Sequence, residues 1–211
     1  MNTISTFTLK TMLINSNSEV ERAILSQTPI RAAMFFQTIG STNDYAKELL
    51  SGDVVPLVFP LLISAAEQTA GRGRGAKKWW TGKGAVAVSL ALNLAEIGLD
   101  REELASFSPI VAEVVGETIR SAVAPEHSLE VRLPNDVYLN GKKVGGILIE
   151  SPKPDYAIFG IGINTNNSVT HIPDELKAVP ITTIFDETGQ TTDHSVFLVE
   201  LFNRFFQKLQ R

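Results

Sequence analysis

Apolar and polar positions alternate most clearly between Ala85 and Leu94. In this stretch bulky Val and Leu residues occupy every second position, and Ala, Ser and Asn occupy the positions between them. A repeat of two residues predicts a β-strand with one bulky face and one face of small side chains. The small face leaves room for a ligand or for a closely packed neighbouring element.

Two longer segments show the apolar spacing of a helix. One stripe runs from Phe107 to Ile119 and predicts a core-facing helix over 104–122. A second stripe near the end of the sequence predicts a helix over about 195–210. Shorter helices are predicted over 19–26 and 45–50.

The remaining apolar runs predict strands. They cover 32–40, 57–66, 129–133, 137–139, 143–150 and 156–163. Asn140 and Gly141 separate two of these runs, and both residue types tolerate a positive φ, which predicts a β-hairpin. Residues 174–178 are predicted to form a helical turn, whereas 181–185 fit either a helix or a strand. The combination indicates a single mixed α/β domain with a hairpin-rich sheet.

The stretch from Gly71 to Trp80 follows neither period. Three glycines alternate with two arginines, and two lysines and two tryptophans follow within the same ten residues. Glycine loses the most backbone freedom on ordering, so this composition predicts a mobile loop. Its four cations suit the binding of a polyanion such as a nucleoside triphosphate. An ordinary solvated basic turn is the alternative for this stretch alone.

Composition and charge narrow the candidate functions. The 211 residues are 44% hydrophobic and 20% charged, which is typical of a soluble globular protein. The sequence has no cysteine, which excludes disulfides, thiolate catalysis and Cys-zinc sites. A net charge of -4 favours a small anionic ligand over a nucleic-acid partner. The apolar runs are too short or too interrupted for a membrane span, so no membrane partner is expected.

Polar residues and glycines cluster at the predicted strand ends. Ser41-Thr42-Asn43 lies where a strand turns into a helix, and its hydroxyls either cap that helix or bind a polar ligand group. Gly160 and Gly162 leave one face of a strand bare, so a ligand can approach the backbone closely. The third glycine of a dinucleotide fingerprint is missing there. The histidines, which are His127, His171 and His194, show no metal-ligand spacing.

Together these blocks resemble the catalytic domain of biotin protein ligases. They occur in the family's order and spacing and cover most of residues 34–165. The matching blocks are Ser41–Asn43, Gln68, Ala70–Arg74 with Trp79, Pro134–Leu139, Lys143–Glu150 and Gly160–Asn164. The resemblance implies an α+β fold, with a mixed, mainly antiparallel sheet packed with helices, of the class II aminoacyl-tRNA synthetase-like kind.

The resemblance also implies a domain organisation. Residues 1–30 are expected to form an N-terminal extension that is partly flexible, and residues 31–211 a single biotin/lipoate ligase-like catalytic domain. Neither an N-terminal DNA-binding domain nor the small C-terminal SH3-like barrel of many family members is expected. A cytoplasmic location follows from the family, and the pattern is compatible with a homodimer.

The reaction implied by the resemblance has two steps. Biotin's carboxylate attacks the α-phosphate of ATP, which gives biotinyl-5′-AMP and pyrophosphate. A lysine amine of a biotin carboxyl carrier protein then attacks the adenylate and releases AMP. ATP and Mg²⁺ are therefore the expected cofactors, with biotin as the substrate. Closure of the 71–80 loop would exclude water and protect the adenylate.

The resemblance assigns roles to individual residues. Lys143 and Arg74 are the expected catalytic residues, and Asp136 is expected to hold Mg²⁺. The expected biotin-binding set is Ser41, Thr42, Asn43, Gln68, Gly71, Arg72, Arg74, Lys143, Gly146, Gly160 and Gly162. The expected nucleotide-binding set is Arg72, Arg74, Lys77, Trp79, Asn135, Asp136, Lys143 and Asn164.

Three departures from the family pattern keep other functions open. Arg132-Leu133 stands where Lys-Trp is usual, Gly75-Ala76-Lys77 where Arg-Gly-Arg is common, and 81–84 replaces a Ser-Pro-x-Gly turn. One alternative is an enzyme that adenylates lipoate or a fatty acid. A second is a protein that binds biotin or a nucleotide without catalysis. A nucleic-acid binder is the third, supported only by the basic and aromatic loop.

Overall fold

The structure is a computed structural model that describes residues 19–52, 57–174 and 179–210. Most of the predicted N-terminal extension and most of the predicted turn at 174–178 lie outside the described residues. Within the described ranges the helices are α1 (Glu19–Gln27), α2 (Thr42–Ser51), α3 (Leu94–Ile97), α4 (Leu104–Ala122), α5 (Ile184–Thr188) and α6 (His194–Leu209). The strands are β1 (Ala32–Ile39), β2 (Leu61–Gln68), β3 (Val86–Asn93), β4 (Leu129–Arg132), β5 (Asp136–Leu139), β6 (Lys142–Glu150) and β7 (Tyr156–Ile163).

The elements agree with the periods in the sequence. Helix α4 has the predicted bounds, and β7 spans the predicted 156–163. The strand predicted from residue 57 begins only at Leu61, because Pro60 removes a backbone donor just before it. The undecided segment 181–185 divides: Ile181 pairs with Lys143 of β6, and α5 begins at Ile184.

All seven described strands form one sheet in the order β1-β2-β3-β7-β6-β5-β4. Strands β1 and β2 are parallel, and every other neighbouring pair is antiparallel. The predicted α+β class with a mixed, mainly antiparallel sheet is therefore confirmed.

One face of the sheet is closed by α1, α4 and α6, and we call it the apolar face. The bulky side chains of β3 point into this layer, where they pack in one continuous core with the apolar stripes of α4 and α6. Phe159 of β7 lies in the same core and meets the Phe205 ring edge-on at 5.2 Å between centroids. Each such side chain contributes about 1.5–3 kcal/mol when fully buried, so this face supplies most of the stability.

The opposite face carries α2, the loop 69–84 and the apolar segment before β2, and we call it the polar face. Helix α2 packs through Ala46 and Leu50 onto small and medium side chains of β2, β3 and β7. The small face predicted for β3 is therefore filled largely by a helix. A Cβ at Gly160 would overlap the Asn43 amide, so this glycine is what lets the N-terminus of α2 approach the sheet.

The predicted hairpin joins β5 and β6. Asn140 has φ 50° and Gly141 has φ 75°, as a tight turn with two left-handed residues requires. The backbone of Lys143 is held on its other side as well, because its N–H donates to Pro180 O at 2.8 Å and its C=O accepts from Thr182 N at 2.9 Å. The position of Lys143 is thus set by a strand pair and an added segment.

Candidate active site

The loop 71–80 folds back on itself as a small irregular hairpin. The Gly73 N–H donates to Lys77 O at 2.7 Å, and the Trp79 N–H donates to Gly71 O at 2.9 Å. A Cβ at Gly71 would overlap the Trp79 carbonyl, so this close approach requires glycine. The loop expected to be mobile therefore has backbone hydrogen bonds of its own.

The indole of Trp79 lies flat against bare backbone on the polar face. A Cβ at Gly162 would overlap the indole ring, and a Cβ at Gly146 would lie 3.4 Å from its Cζ3 atom. The Lys143 ammonium is 5.9 Å from the ring centroid. The indole Nε1 is buried and has no hydrogen-bond partner in the structure. The glycine slot expected to bind biotin is therefore covered by Trp79.

A chain of hydrogen-bonded polar side chains runs beneath the loop, and we call it the polar chain. Its members, from one end to the other, are Thr81, Gln68, Thr42, Ser89 and Asn43. Gln68 Nε2 donates to Thr81 Oγ1 at 2.9 Å, and its Oε1 accepts from the Thr42 N–H at 2.8 Å. Ser89 Oγ lies 2.7 Å from Thr42 Oγ1 and 2.5 Å from Asn43 Oδ1. These groups satisfy one another, as buried polar atoms must.

The predicted polar cluster is thus assembled, with two members that the sequence did not single out. Ser41 caps α2, since its Oγ accepts from the Asp44 N–H at 3.3 Å. Ser89 lies among the small residues of β3, so the sequence pattern did not single it out. A hydroxyl in the middle of an apolar strand is nevertheless a signal for a polar partner. Thr81 belongs to the segment 81–84, which differs from the family pattern. Its hydroxyl is the last member of the polar chain, on the C-terminal side of the loop.

An acid–base cluster lies beside the polar chain, formed by Asp44, Lys47, Arg72 and Glu150. Arg72 Nη2 is 2.6 Å from Glu150 Oε2 and 2.8 Å from Asp44 Oδ1, and its Nε donates to Asp44 Oδ2 at 3.0 Å. Lys47 Nζ donates to Glu150 Oε1 at 2.6 Å. Arg72, expected to contact biotin and phosphate, is held by carboxylates of this chain.

The ionisation of the cluster follows from these bonds. Burial by itself would raise the pKa of Glu150, but hydrogen bonds from Arg72, Lys47 and Asn43 outweigh it and hold the pKa below its usual range. The hydrogen bond to Glu150 likewise raises the pKa of Arg72. Both groups are therefore fully charged at neutral pH.

Arg74 and Lys77 lie at the exposed tip of the loop. In the part of the chain that the structure describes, neither makes an ion pair. Two arginines that look equivalent in sequence therefore differ in structure, because Arg72 is tied to acids and Arg74 projects outward.

Lys143 and Asp136 form an ion pair at the edge of the slot, with Nζ 2.7 Å from Oδ1. The register of β5 and β6 brings them to the same part of the sheet. Asn135 donates through Nδ2 to Ile147 O at 3.1 Å. Asn164 is buried, and its amide binds Thr182 O and Asn167, so its polar atoms are used inside the fold.

The described residues contain no group of three or more acids and histidines arranged for a metal ion. Asp136 offers a carboxylate next to the slot. Mg²⁺ is commonly held by one or two carboxylates, with substrate phosphates and water completing its shell, so Asp136 fits a Mg²⁺–nucleotide complex as one ligand. His194 bonds to Thr165 Oγ1 at 2.8 Å and is a structural contact. No helix in the described ranges is long and apolar enough to cross a bilayer.

Most of the chain is similar in sequence to proteins of one family. A sequence model of the biotin/lipoate A/B protein ligase family matches residues 35–164. The bifunctional ligase/repressor BirA of Bacillus subtilis is 31% identical over 185 residues, or 85% of this chain and 54% of that protein. The biotin--[acetyl-CoA-carboxylase] ligase of Paracoccus denitrificans is 34% identical over 162 residues, or 75% of this chain and 65% of that protein. The chain thus spans about half the length of BirA.

Solved structures share the fold. The biotin protein ligase from Aquifex aeolicus, in complex with biotin and ATP, has a TM-score of 0.70 and 30% identity, covering 86% of this chain and 71% of that chain. The enzyme from Leishmania major in complex with biotinyl-5-AMP has a TM-score of 0.67 and 24% identity, covering 85% of this chain and 75% of that chain. The second likeness bears on the fold alone.

Proposed function

The chain belongs to the biotin/lipoate A/B protein ligase family, and we propose that it activates biotin with ATP and transfers it to a lysine of a biotin carboxyl carrier protein. The observation that carries the proposal is the Lys143 ammonium, half-buried at the edge of a glycine-floored slot beneath a cationic loop. Relatives named as biotin ligases at 30% identity or more support it.

The first step joins two anions that repel each other. A biotin carboxylate oxygen forms a bond to the α-phosphorus of ATP, and the bond from that phosphorus to the β-phosphate bridging oxygen breaks, releasing pyrophosphate. Lys143 is proposed to lie between carboxylate and α-phosphate, where its charge lowers their repulsion and stabilises the charge that builds at phosphorus. Arg74 and Lys77, which are exposed at the loop tip, are proposed to bind the outer phosphates.

The second step consumes the mixed anhydride. A carrier lysine amine attacks the biotinyl carbonyl carbon, the bond to the AMP oxygen breaks, and the amine loses a proton as the amide forms. Water competes with that amine, so the loop 71–80 is proposed to cover the adenylate until the carrier arrives. Mg²⁺, with Asp136 as a proposed ligand, would neutralise phosphate charge when bound.

Biotin binding in the slot requires two local changes. Trp79 covers Gly146 and Gly162, so its ring is proposed to slide off this floor and become a wall of the pocket. The buried Nε1 without a partner would then reach a hydrogen-bond acceptor. Thr42 and Gln68 are proposed to exchange part of their mutual bonding for the polar atoms of the biotin ring, because those atoms are costly to bury unpaired.

A second candidate is adenylation of a different carboxylate, such as lipoate or a fatty acid. Leu133 stands where the family pattern has tryptophan, and it is 68% exposed in the turn before Asp136. An aliphatic residue there leaves the slot more open to a flexible acyl chain. Four expectations stay predictions: the carrier-protein acceptor, a homodimer, the absence of a nucleic-acid partner and a cytoplasmic location.

Pyrophosphate release tests the proposal directly. The protein with ATP and Mg²⁺ should release pyrophosphate when biotin is added, and less with lipoate or octanoate. Lys143→Ala should lower the rate by at least about a hundredfold, because one preorganised charge at a transition state is worth about 2.7–4 kcal/mol. Lys142→Ala is the matched control and should keep the rate. Equal rates for Lys143→Ala and the native protein would refute the assignment, and a preference for lipoate would favour the second candidate.

A further inference from the structure

Two acids outside the expected site residues hold the cationic loop on the sheet. Arg72, the first cation of the loop, binds Glu150 at the end of β6 and Asp44 in the first turn of α2. Both acids belong to regular elements of the scaffold. Their carboxylates are therefore positioned by a helix and a strand and not by the loop.

We propose that Glu150, together with Asp44, is a positioning residue that latches the loop 71–80 over the slot through Arg72. The inference rests on the proposed ligase function for its catalytic meaning, although the latch itself is a property of the folded chain.

The bond pattern favours a latch over a direct role of Arg72 in charge neutralisation. Asp44 takes Nε and Nη2 in a fork, and Glu150 takes Nη2 as well, so one whole edge of the guanidinium is used inside the protein. With Lys47 on the other Glu150 oxygen, the acid–base cluster contains two positive and two negative groups. The cluster is locally neutral, so attraction of the triphosphate is left to Arg74 and Lys77 at the loop tip.

Burial makes the latch stronger than an ordinary surface pair. The Arg72 side chain is 33% exposed and that of Glu150 is 19% exposed, so water screens the bond only in part. Charge-assisted hydrogen bonds of this geometry are roughly twice as strong as neutral ones. The Gln68–Thr81 bond holds the other end of the loop. With both ends held, Trp79 is fixed between them.

Trypsin cleavage after Arg74 measures opening of the loop without any enzymatic activity. In the native protein, cleavage requires the loop to leave the sheet, so its rate reports the population of the open form. Glu150→Gln should raise that rate about tenfold, because a neutral amide replaces the charged partner of Arg72. Asp44→Asn should raise it less, since Asp44 is more exposed.

The matched control is Glu117→Gln. Glu117 also pairs with an arginine and a lysine, Arg204 and Lys208, but on the apolar side of the molecule. Its loss should leave cleavage after Arg74 unchanged. In an Arg72→Gln background, Glu150→Gln should have no further effect, which distinguishes a latch through Arg72 from an effect through Lys47. Cleavage is compared at temperatures well below each variant's melting point, so loss of global stability is not mistaken for local opening.

A second readout links the latch to catalysis. In Glu150→Gln, pyrophosphate release should change less than threefold, whereas the share of biotinyl-5′-AMP that escapes into solution should rise severalfold. Unchanged cleavage in both Glu150→Gln and Asp44→Asn would overturn the latch. Absence of adenylate from the native protein would refute the proposed function, and the protease result would still decide the latch.

Discussion

The two faces of the sheet are built on opposite principles. The apolar face is closed by α4 and α6, whose large side chains pack against those of the sheet, including the fully buried Phe159 of β7. The polar face is floored by glycines and closed by hydrogen bonds and ion pairs, with Gly160 and Gly162 on the same strand as Phe159. Neighbouring residues of β7 therefore serve different purposes: one side holds the fold together, and the other leaves backbone accessible.

The difference separates stability from the proposed chemistry. Apolar burial on one side does not depend on any ligand. The polar side chains of the polar face bind one another, and a substrate can replace these hydrogen bonds with hydrogen bonds of its own. Removing large side chains from the apolar face should therefore lower the free energy of unfolding, and filling the glycine floor of the polar face should mainly alter binding and turnover.

The largest effect should come from Phe159→Ala. Removing a fully buried aromatic ring from the centre of the apolar face should lower the free energy of unfolding by about 3–5 kcal/mol. Denaturant unfolding measures the loss. Pyrophosphate release per folded molecule should stay within about twofold at low temperature. A large drop in turnover without a loss of stability would contradict the division between the faces.

Ser89→Ala tests how much the buried hydrogen bonds of the polar face contribute to the free energy of unfolding. Ser89 is fully buried, and its hydroxyl is the donor available to Asn43 Oδ1. Leaving that oxygen unpaired should lower the free energy of unfolding by about 1–3 kcal/mol. Thr118→Val is the control on the apolar face. Among the described residues its hydroxyl bonds to Val114 O of the same helix, so its loss should cost less than about 1 kcal/mol. A larger loss for Thr118→Val than for Ser89→Ala would contradict this prediction.

Gly162→Ala should affect ligand binding more than stability. The added Cβ overlaps the Trp79 ring, but the ring belongs to a loop and can move away. The methyl group then stands on the floor of the slot, so biotin affinity measured by calorimetry should fall about tenfold, or ~1.4 kcal/mol. Gly40→Ala is the control, because a Cβ there meets nothing within 4 Å. Equal biotin affinity in Gly162→Ala and Gly40→Ala would show that biotin does not bind in this slot.

The parts of the fold that were predictable are those determined by a local repeat of apolar residues or by a local turn. The two-residue repeat of β3, the stripe of α4 and the turn at Asn140-Gly141 each specify their own geometry. The parallel pairing of β1 with β2 has no local pattern, because it depends on which distant strands meet. That pairing required the structure.

The site was predictable as a set of residues but not as a set of bonds. Gln68 and Thr42 do meet, and Lys143 does reach Asp136. Sequence could not distinguish Arg72 from Arg74, because their difference depends on Glu150, which lies 78 residues beyond Arg72 in the chain. Nor could it predict that Trp79 would cover the glycine floor, since bare backbone accepts a side chain of the protein as readily as a ligand.

The smallest predicted effect comes from replacing Glu187 of α5, which lies at the edge shared by both faces. This carboxylate binds Thr182, Asn140 and Lys142, and so fastens α5 to the hairpin that carries Lys143. Burial by itself would raise its pKa, but these hydrogen bonds and the Lys142 charge lower it from 4.5 to about 2. Because the folded pKa is depressed, the stabilisation is complete above the unfolded pKa and is lost as the pH falls from about 4.5 towards 2.

Glu187→Gln should therefore lower the free energy of unfolding by about 1 kcal/mol at pH 7, since part of the charge interaction is screened by solvent. The gap between the native protein and the variant should shrink by more than half at pH 3, because the unfolded carboxyl is then protonated. Thermal melts at both pH values measure it. A gap that stays constant with pH would mean that packing of α5, and not the Glu187 charge, fastens this edge. Lys143 would then owe its position to the β5–β6 pair and to its backbone bonds with Pro180 and Thr182.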